Sequence, residues 1–295
     1  MALVQARAGT RAPARARRAR RHVWLDTAWY IGMTVFLLLF LSPIIWVYLA
    51  SLTPGGELAA SPTAVFDVRH YTLNAFPTMW NSIGFSTAFF NSVKVGLAVA
   101  VCVILLCAPA AFALSRYAFR GRGVMAILVL VGQMLPGIVV VIPTVLLLRA
   151  FHLTDSLVGL WIIYVIINIP LAVWLLRGFI DAIPRELDES VMVDGGRYLD
   201  VLRHIIFPLA SPGILTVGAF AFTAAWGEYL LALSLITSDD KWTLPLALQG
   251  AFGQNTVDLG ALTAGGVMIS LPVAVLFMVL QRALVAGLTA GSVKG

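Results

Sequence analysis

Charge is what this sequence lacks most. Only 12% of its 295 residues are Asp, Glu, Lys or Arg, while 60% are hydrophobic, and the mean hydropathy is +0.93. So little polar material cannot coat a water-soluble globule, and most of the chain must meet lipid. Cysteine is nearly absent: Cys102 and Cys107 fall off one another's helical face with no histidine nearby. That pair reads as small packing residues rather than as a disulfide or a metal site. Histidine is scarce, and His22, His70, His152 and His204 all fall outside the apolar runs. Neither HExxH nor GxSxG occurs, so nothing supplies the constellation of a membrane-embedded protease or acyltransferase. A GxxxxGK[ST] phosphate loop is also missing, which excludes ATP hydrolysis by this chain alone.

What is present is long apolar runs, enough for roughly six crossings at about 20 residues each. Hydropathy predicts spans near 28–49, 89–114, 124–148, 157–176, 214–236 and 261–284. Lipid cannot satisfy an open strand edge, so these spans should be helices. The runs are continuously apolar rather than alternating, which sets aside an outer-membrane barrel. The expected fold class is all-α and polytopic with six transmembrane helices. The expected organisation is an Arg-rich tail over 1–26 and a transmembrane domain over 27–295.

Arg7, Arg11, Arg15, Arg17, Arg18, Arg20 and Arg21 crowd the segment before the first span with no acid among them. They read as a topology anchor against anionic lipid headgroups. Without interleaved aromatics they give no case for nucleic acid. No small-residue cleavage site follows the first run, which is long enough to span, so a secretory signal peptide is not expected. Arg116, Arg120 and Arg122 follow the second span, and Arg177, Arg185, Arg197 and Arg203 follow the fourth, whereas the alternate connections carry Arg69, Arg149 and Lys241 singly. Positive-inside counting therefore places both termini and these two basic connections in the cytoplasm.

Several spans are not plain cylinders. Pro109, Pro136, Pro143, Pro170 and Pro272 fall within or at the ends of apolar runs, where each removes a donor and invites a kink. Asn91, Lys94, Gln133, Asn168 and Glu228 place polar atoms at membrane depth, and such groups usually face a bundle interior. Lys94 is near enough to its span's outer end to snorkel. Gln133 and Asn168 read either as interhelical hydrogen-bond glue or as pathway lining. Glu228, in Trp226-Gly227-Glu228-Tyr229, either pairs with a neighbouring helix or borders a route. Gln133, Asn168, Glu228 and Tyr229 are the candidates for lining a polar site near mid-membrane.

The fourth connection, IPRELDESVMVDGGRYLDVLRHIIFPLASPGI from Ile183 to Ile214, is unusually long. Pro184 can open a helix with Glu186, Asp188 and Glu189 near its positive end, running to about Val193. Asp194-Gly195-Gly196 then breaks the chain. A second short helix, Tyr198 to Phe207, should stop at Pro208, with Leu199, Leu202, Ile205 and Ile206 forming an apolar stripe. That stripe must be buried, either on the membrane domain or on a cytoplasmic partner.

The run Glu189-Ser190-Val191-Met192-Val193-Asp194-Gly195-Gly196, followed by Ile205, Pro208 and Pro212, resembles the EAA loop of binding-protein-dependent ABC importer permeases. Departures are Ser190-Val191 for Ala-Ala, Gly196 for Ala, and Leu202 where Phe is common. Trp226 to Leu233 with Thr243-Leu244-Pro245 is similar to the fifth-span region of maltose-type carbohydrate permeases. The ending Gln281 to Gly295 is similar to the C-terminal signature of the second permease of those pairs. The resemblance implies a type I permease fold whose loop over 181–212 carries coupling helices. It further implies contact with an ATPase through Glu189, Ser190, Val191, Asp194, Gly195, Gly196, Leu202, Ile205 and Pro208. The implied partners are a second permease, two copies of an ABC ATPase that hold ATP and Mg, and an extracytoplasmic sugar-binding protein that meets 51–82 and 237–260. No cofactor is expected on this chain, and the implied site is the bacterial cytoplasmic membrane. A solitary ion-coupled secondary transporter is the other class considered, and it calls for internal repeats and paired buried acids that are not apparent.

Overall fold

The computed structural model describes the backbone of residues 13–82, 84–134, 136–252 and 258–290, and their side chains except at 13–26, 130, 133, 252 and 282–290. Every regular element among the described residues is helical. In order they are α1 (Pro13–Ala50), α2 (Gly55–Ala60), α3 (Ala75–Trp80), α4 (Phe85–Arg116), α5 (Arg122–Gln133), α6 (Gly137–Ala150), α7 (Leu157–Asp181) and α8 (Arg185–Val193), followed by α9 (Tyr198–Leu209), α10 (Ser211–Trp226), α11 (Leu230–Leu235), α12 (Leu244–Phe252) and α13 (Leu259–Ala290).

Among the described residues, four stretches are long and apolar enough to cross a membrane: Thr27–Ala50, Phe85–Arg116, Leu157–Asp181 and Leu259–Gln281. The two remaining expected spans are each broken, which the hydropathy profile alone does not register. The third is divided into α5, which ends at Gln133, and α6, which begins at Gly137 after its N-cap Pro136. The fifth stops at Trp226, crosses Gly227-Glu228-Tyr229 without helical geometry, and resumes as α11. Four unbroken helices and two broken ones are compatible with six crossings. The first helix also begins earlier than its apolar run, because α1 continues unbroken from Pro13. Arg15, Arg17, Arg18, Arg20 and Arg21 ride on it, while Arg7 and Arg11 lie outside the described residues.

α4 is the hub, packing along α7 and α10. Val99, Val103, Cys107, Leu160, Tyr164, Leu176 and Val217 are buried where the three meet. Apolar side chains gain nothing by leaving lipid for one another, so close backbone approach through small residues carries such packing. A Cβ on Gly96 would fall 2.9 Å from the Phe222 ring, and one on Gly218 would fall 2.8 Å from Ile104 Cδ1. Cys107 is buried, with Sγ 3.9 Å from the Ile169 carbonyl, and Cys102 is half-buried.

At the end that charge counting assigns to the outside, the segment between α11 and α12 is tied down from two sides. Asn91 Nδ2 donates to the carbonyls of Asp240 at 2.9 Å and Trp242 at 3.1 Å, and Ser92 Oγ accepts from the amide of Leu244 at 2.7 Å. From the α6–α7 turn, Asp155 accepts from the amides of Thr237 and Ser238, the Ser238 hydroxyl and Lys241 Nζ. Those donors, the Lys241 ammonium first, hold the Asp155 carboxyl far below the usual carboxylate range.

Candidate functional site

Two features stand out at opposite depths: a knob of two short helices beyond the membrane helices, and a cavity beside the broken fifth span. The knob forms because the sequence supplies a start, a break and an anchor. Pro184 is the N-cap of α8 at φ −56° and ψ 136°, with Glu186 and Asp188 in the first turn near the positive end of the dipole. Asp194 ends the helix, and Gly195 follows at φ +82°, a left-handed conformation that glycine adopts without penalty. The Arg197 amide donates to Asp200 Oδ2 at 2.8 Å, which opens α9.

α9 does not end at Pro208 as its sequence suggests. It continues to Leu209 through a π-helical turn over Leu202–Ile206, with the amide of Phe207 bonding to the Leu202 carbonyl, and a 77° bend then leads into α10. The bend brings α10 so close to α7 that a Cβ on Gly213 would fall 2.3 Å from Phe179 Cγ.

The apolar stripe divides. Leu202 and Ile206 are buried in the hydrophobic core of the helix bundle and Ile205 is half-buried, whereas Leu199 is 60% exposed. Val201, not singled out in the stripe, is fully buried instead. Glu189, Ser190, Asp194 and Gly195 are exposed, with Val193 at 87% and Leu187 at 38%. Pro208 is exposed as well. Val191 and Gly196 are half-buried against each other: a Cβ on Gly196 would meet Val191 Cγ1 at 2.6 Å and its carbonyl oxygen at 2.8 Å. Two of the three departures from Ala, Val191 and Gly196, thus fit as a large-small pair. His204 lies on the polar face, with Nδ1 3.0 Å from the Asp200 carbonyl.

A polar knot joins this knob to the bundle. Arg116 Nε lies 2.6 Å from Asp188 Oδ2 with side chains only 5% and 14% exposed, and Arg116 Nη2 donates to the Ile183 carbonyl at 2.9 Å. Arg185 donates to the Ser115 carbonyl at 3.2 Å, and the Ser115 hydroxyl donates to Asp181 Oδ1 at 2.5 Å. Burial pushes the Asp188 carboxyl up, opposed by the Arg116 and Arg185 charges. The Tyr117 and Tyr198 rings meet across the same junction, tilted by 46° with centroids 4.6 Å apart.

The cavity, about 540 Å³, lies between α5, α6, α7 and the α10–α11 break, with Tyr164, Asn168 and Glu228 on its wall. Glu228 is the organising group. Its Oε2 accepts from the Tyr164 hydroxyl at 2.5 Å and the Ala232 amide at 3.1 Å, and its Oε1 accepts from the Leu231 amide at 2.9 Å. The carboxylate therefore both bridges to α7 and starts α11. Asn168 Nδ2 donates to the Tyr164 carbonyl one turn away at 2.8 Å. Of the four pathway candidates, Asn168 and Glu228 share this wall. Tyr229 does not, because the irregular turn directs it half-buried into the core. Gln133 closes α5 beside the lining residue Gly132, but its side chain lies outside the described residues. Tyr164 is the residue that reading the sequence missed. Its spacing four before Asn168 on one helix was the available signal.

Residues 9–290 match the family described as binding-protein-dependent transport system inner membrane component. Among similar proteins, a diacetylchitobiose uptake system permease of Streptomyces coelicolor is 35% identical over 86% of this chain and 91% of its own length. A trehalose transport system permease of Mycobacterium tuberculosis is 33% identical over 91% of this chain and 98% of its own. A maltodextrin transport system permease of Bacillus subtilis is 31% identical over 88% and 95%. In fold, the chain is similar to a chain of a bacterial ABC transporter involved in the import of the acidic polysaccharide alginate, with TM-score 0.77, 22% identity, and 90% and 97% of the two chains covered.

Proposed function

The chain belongs to the binding-protein-dependent transport system inner membrane components and is a multi-pass permease subunit of an ATP-binding-cassette importer; we propose that its cargo is a sugar or related polyol. The observation that carries this cargo is the agreement among three similar permeases, whose names specify diacetylchitobiose, trehalose and maltodextrin. The cavity is chemically suited to it: an amide, a phenol and a carboxylate beside apolar walls match the polar edges and apolar faces of a sugar ring.

In this reading the subunit pairs with a second, similar permease, and the two bundles enclose the route. Two copies of an ATPase, which hold the ATP and Mg, dock beneath the coupling loops, because this chain has no phosphate loop and is itself non-catalytic. The docking face is the exposed surface of Glu189, Ser190, Val193, Asp194 and Gly195, while Leu202 and Ile206 anchor the knob. An extracytoplasmic binding protein delivers cargo to the connections 51–82 and 237–260. Both termini face the cytoplasm, as the arginine distribution requires.

The test is purification of the tagged chain from its native membrane in mild detergent, identification of co-purifying proteins, and uptake by the reconstituted assembly of a panel of neutral sugars, polyols, amino acids and peptides. A second permease, a P-loop ATPase and saturable uptake restricted to a sugar or polyol are expected. Uptake of an amino acid or peptide instead would overturn the cargo.

A further inference from the structure

The helix that faces the ATPase in the reading above is joined to the membrane bundle at few points. Along 184–190 every residue but Asp188 is exposed. Asp188 meets Arg116, the last residue of α4, which is the helix packed against both α7 and α10. A displacement of α8 therefore has a direct polar connection to the centre of the bundle.

We propose that the Arg116–Asp188 pair is the strut through which movement of α8 reaches α4, making both positioning residues for coupling ATP hydrolysis to transport. This rests on the docking of an ATPase under the knob. Glu189 and Ser190 point to the outside of the knob while Asp188, one position earlier, points inward, so adjacent positions divide partner contact from transmission. The charges are placed with the helix ends: Arg116 in the last turn of α4 and Asp188 in the first turn of α8. Arg116 grips twice, through Asp188 and through the Ile183 carbonyl at 2.9 Å, so it holds both α8 and the turn that leads into it. The Arg116 Nε to Asp188 contact is an ion pair without hydrogen-bond alignment, and Asp188 Oδ1 is buried without a partner. A buried pair of this kind is a poor stabiliser relative to apolar packing, so its presence calls for a role in register or switching.

The test uses the full assembly in proteoliposomes with its binding protein and sugar, comparing the parent with Arg116→Gln, Arg116→Lys and the isosteric Asp188→Asn. For Arg116→Gln and Asp188→Asn the ATPase still co-purifies and hydrolyses ATP, while sugar moved per ATP falls about ten-fold, a typical size for coupling between sites. Arg116→Lys, which keeps the charge, recovers part of that ratio. An unchanged ratio in both neutral variants would overturn the strut, and so would loss of the ATPase from them, which would make the pair merely structural. If the parent itself brings down no ATPase, it is the docking reading that fails.

Discussion

Replacing Glu228 by Gln tests how the broken fifth span is held. The carboxylate takes three donors: the Tyr164 hydroxyl at 2.5 Å, the Leu231 amide at 2.9 Å and the Ala232 amide at 3.1 Å. Glutamine has one accepting oxygen. Placed where Oε2 lies, that oxygen keeps Tyr164 and Ala232, but its NH2 then confronts the Leu231 N–H, donor against donor. A hydrogen bond to a charged group contributes about 1.5–3 kcal/mol, and an orphaned buried donor costs about 1–3 kcal/mol, so a total of about 3 kcal/mol is expected. That corresponds to roughly a hundred-fold shift between the ordered and unwound states of α11. Uptake by the reconstituted assembly should fall at least ten-fold on that scale, at about a tenth or less of the parent rate, with the ATPase still attached. Tyr164→Phe removes one donor and leaves both amides satisfied, so its effect should be smaller. Parent-like uptake by Glu228→Gln, or a larger loss from Tyr164→Phe, would refute the assignment of Glu228 as the organising group.

Two further outcomes follow from close contacts. Gly213→Val forces a side chain into the Phe179 ring, 2.3 Å from where a Cβ would lie, and should cost about 1–3 kcal/mol. Thermal unfolding in detergent checks this, and adding Phe179→Ala should recover part of the loss. At the other end, His70 Nδ1 lies 2.9 Å from Glu57 Oε2, and its pKa is raised by that hydrogen bond, then by the charges of Glu57 and Asp67. A raised histidine stabilises fully below its unfolded pKa and loses that contribution as pH rises through its folded pKa. Proteolysis within the 51–82 connection should therefore be slower at about pH 5.5 than at about pH 8. His70→Gln should remove the difference.

Much of this architecture was legible from periodicity and charge. The apolar runs located the membrane helices, and Pro184, Asp194-Gly195 and the acids between them marked both ends of α8. The breaks in the third and fifth spans were not legible as breaks, because hydropathy averages over three or four residues without seeing backbone geometry. Glu228 gave a polar signal, but its role depends on Tyr164 from a helix far away in the chain. Leu199 shows the limit of a helical stripe, since periodicity marks a face without saying how far the supporting surface extends, and the bundle stops short of it. Pro208 did not stop α9 either: a π-helical turn over Leu202–Ile206 precedes it, and the helix runs on to Leu209.

The most direct measurement is recovery of partners with Gly195→Asp. Beyond Gly195 and its two chain neighbours, no heavy atom lies within 4 Å of a Cβ built on Gly195, whose φ is +82°, so the change adds a charge to the knob's exposed elbow without overpacking it. Its backbone strain is about 1–2 kcal/mol, and Asp is among the residues that visit this region most readily. The parent should bring down both a second permease and a P-loop ATPase, and the variant should keep the permease while losing the ATPase. A parent that emerges alone and still moves solute in liposomes, or a variant that retains the ATPase and full uptake, would contradict coupling through this loop.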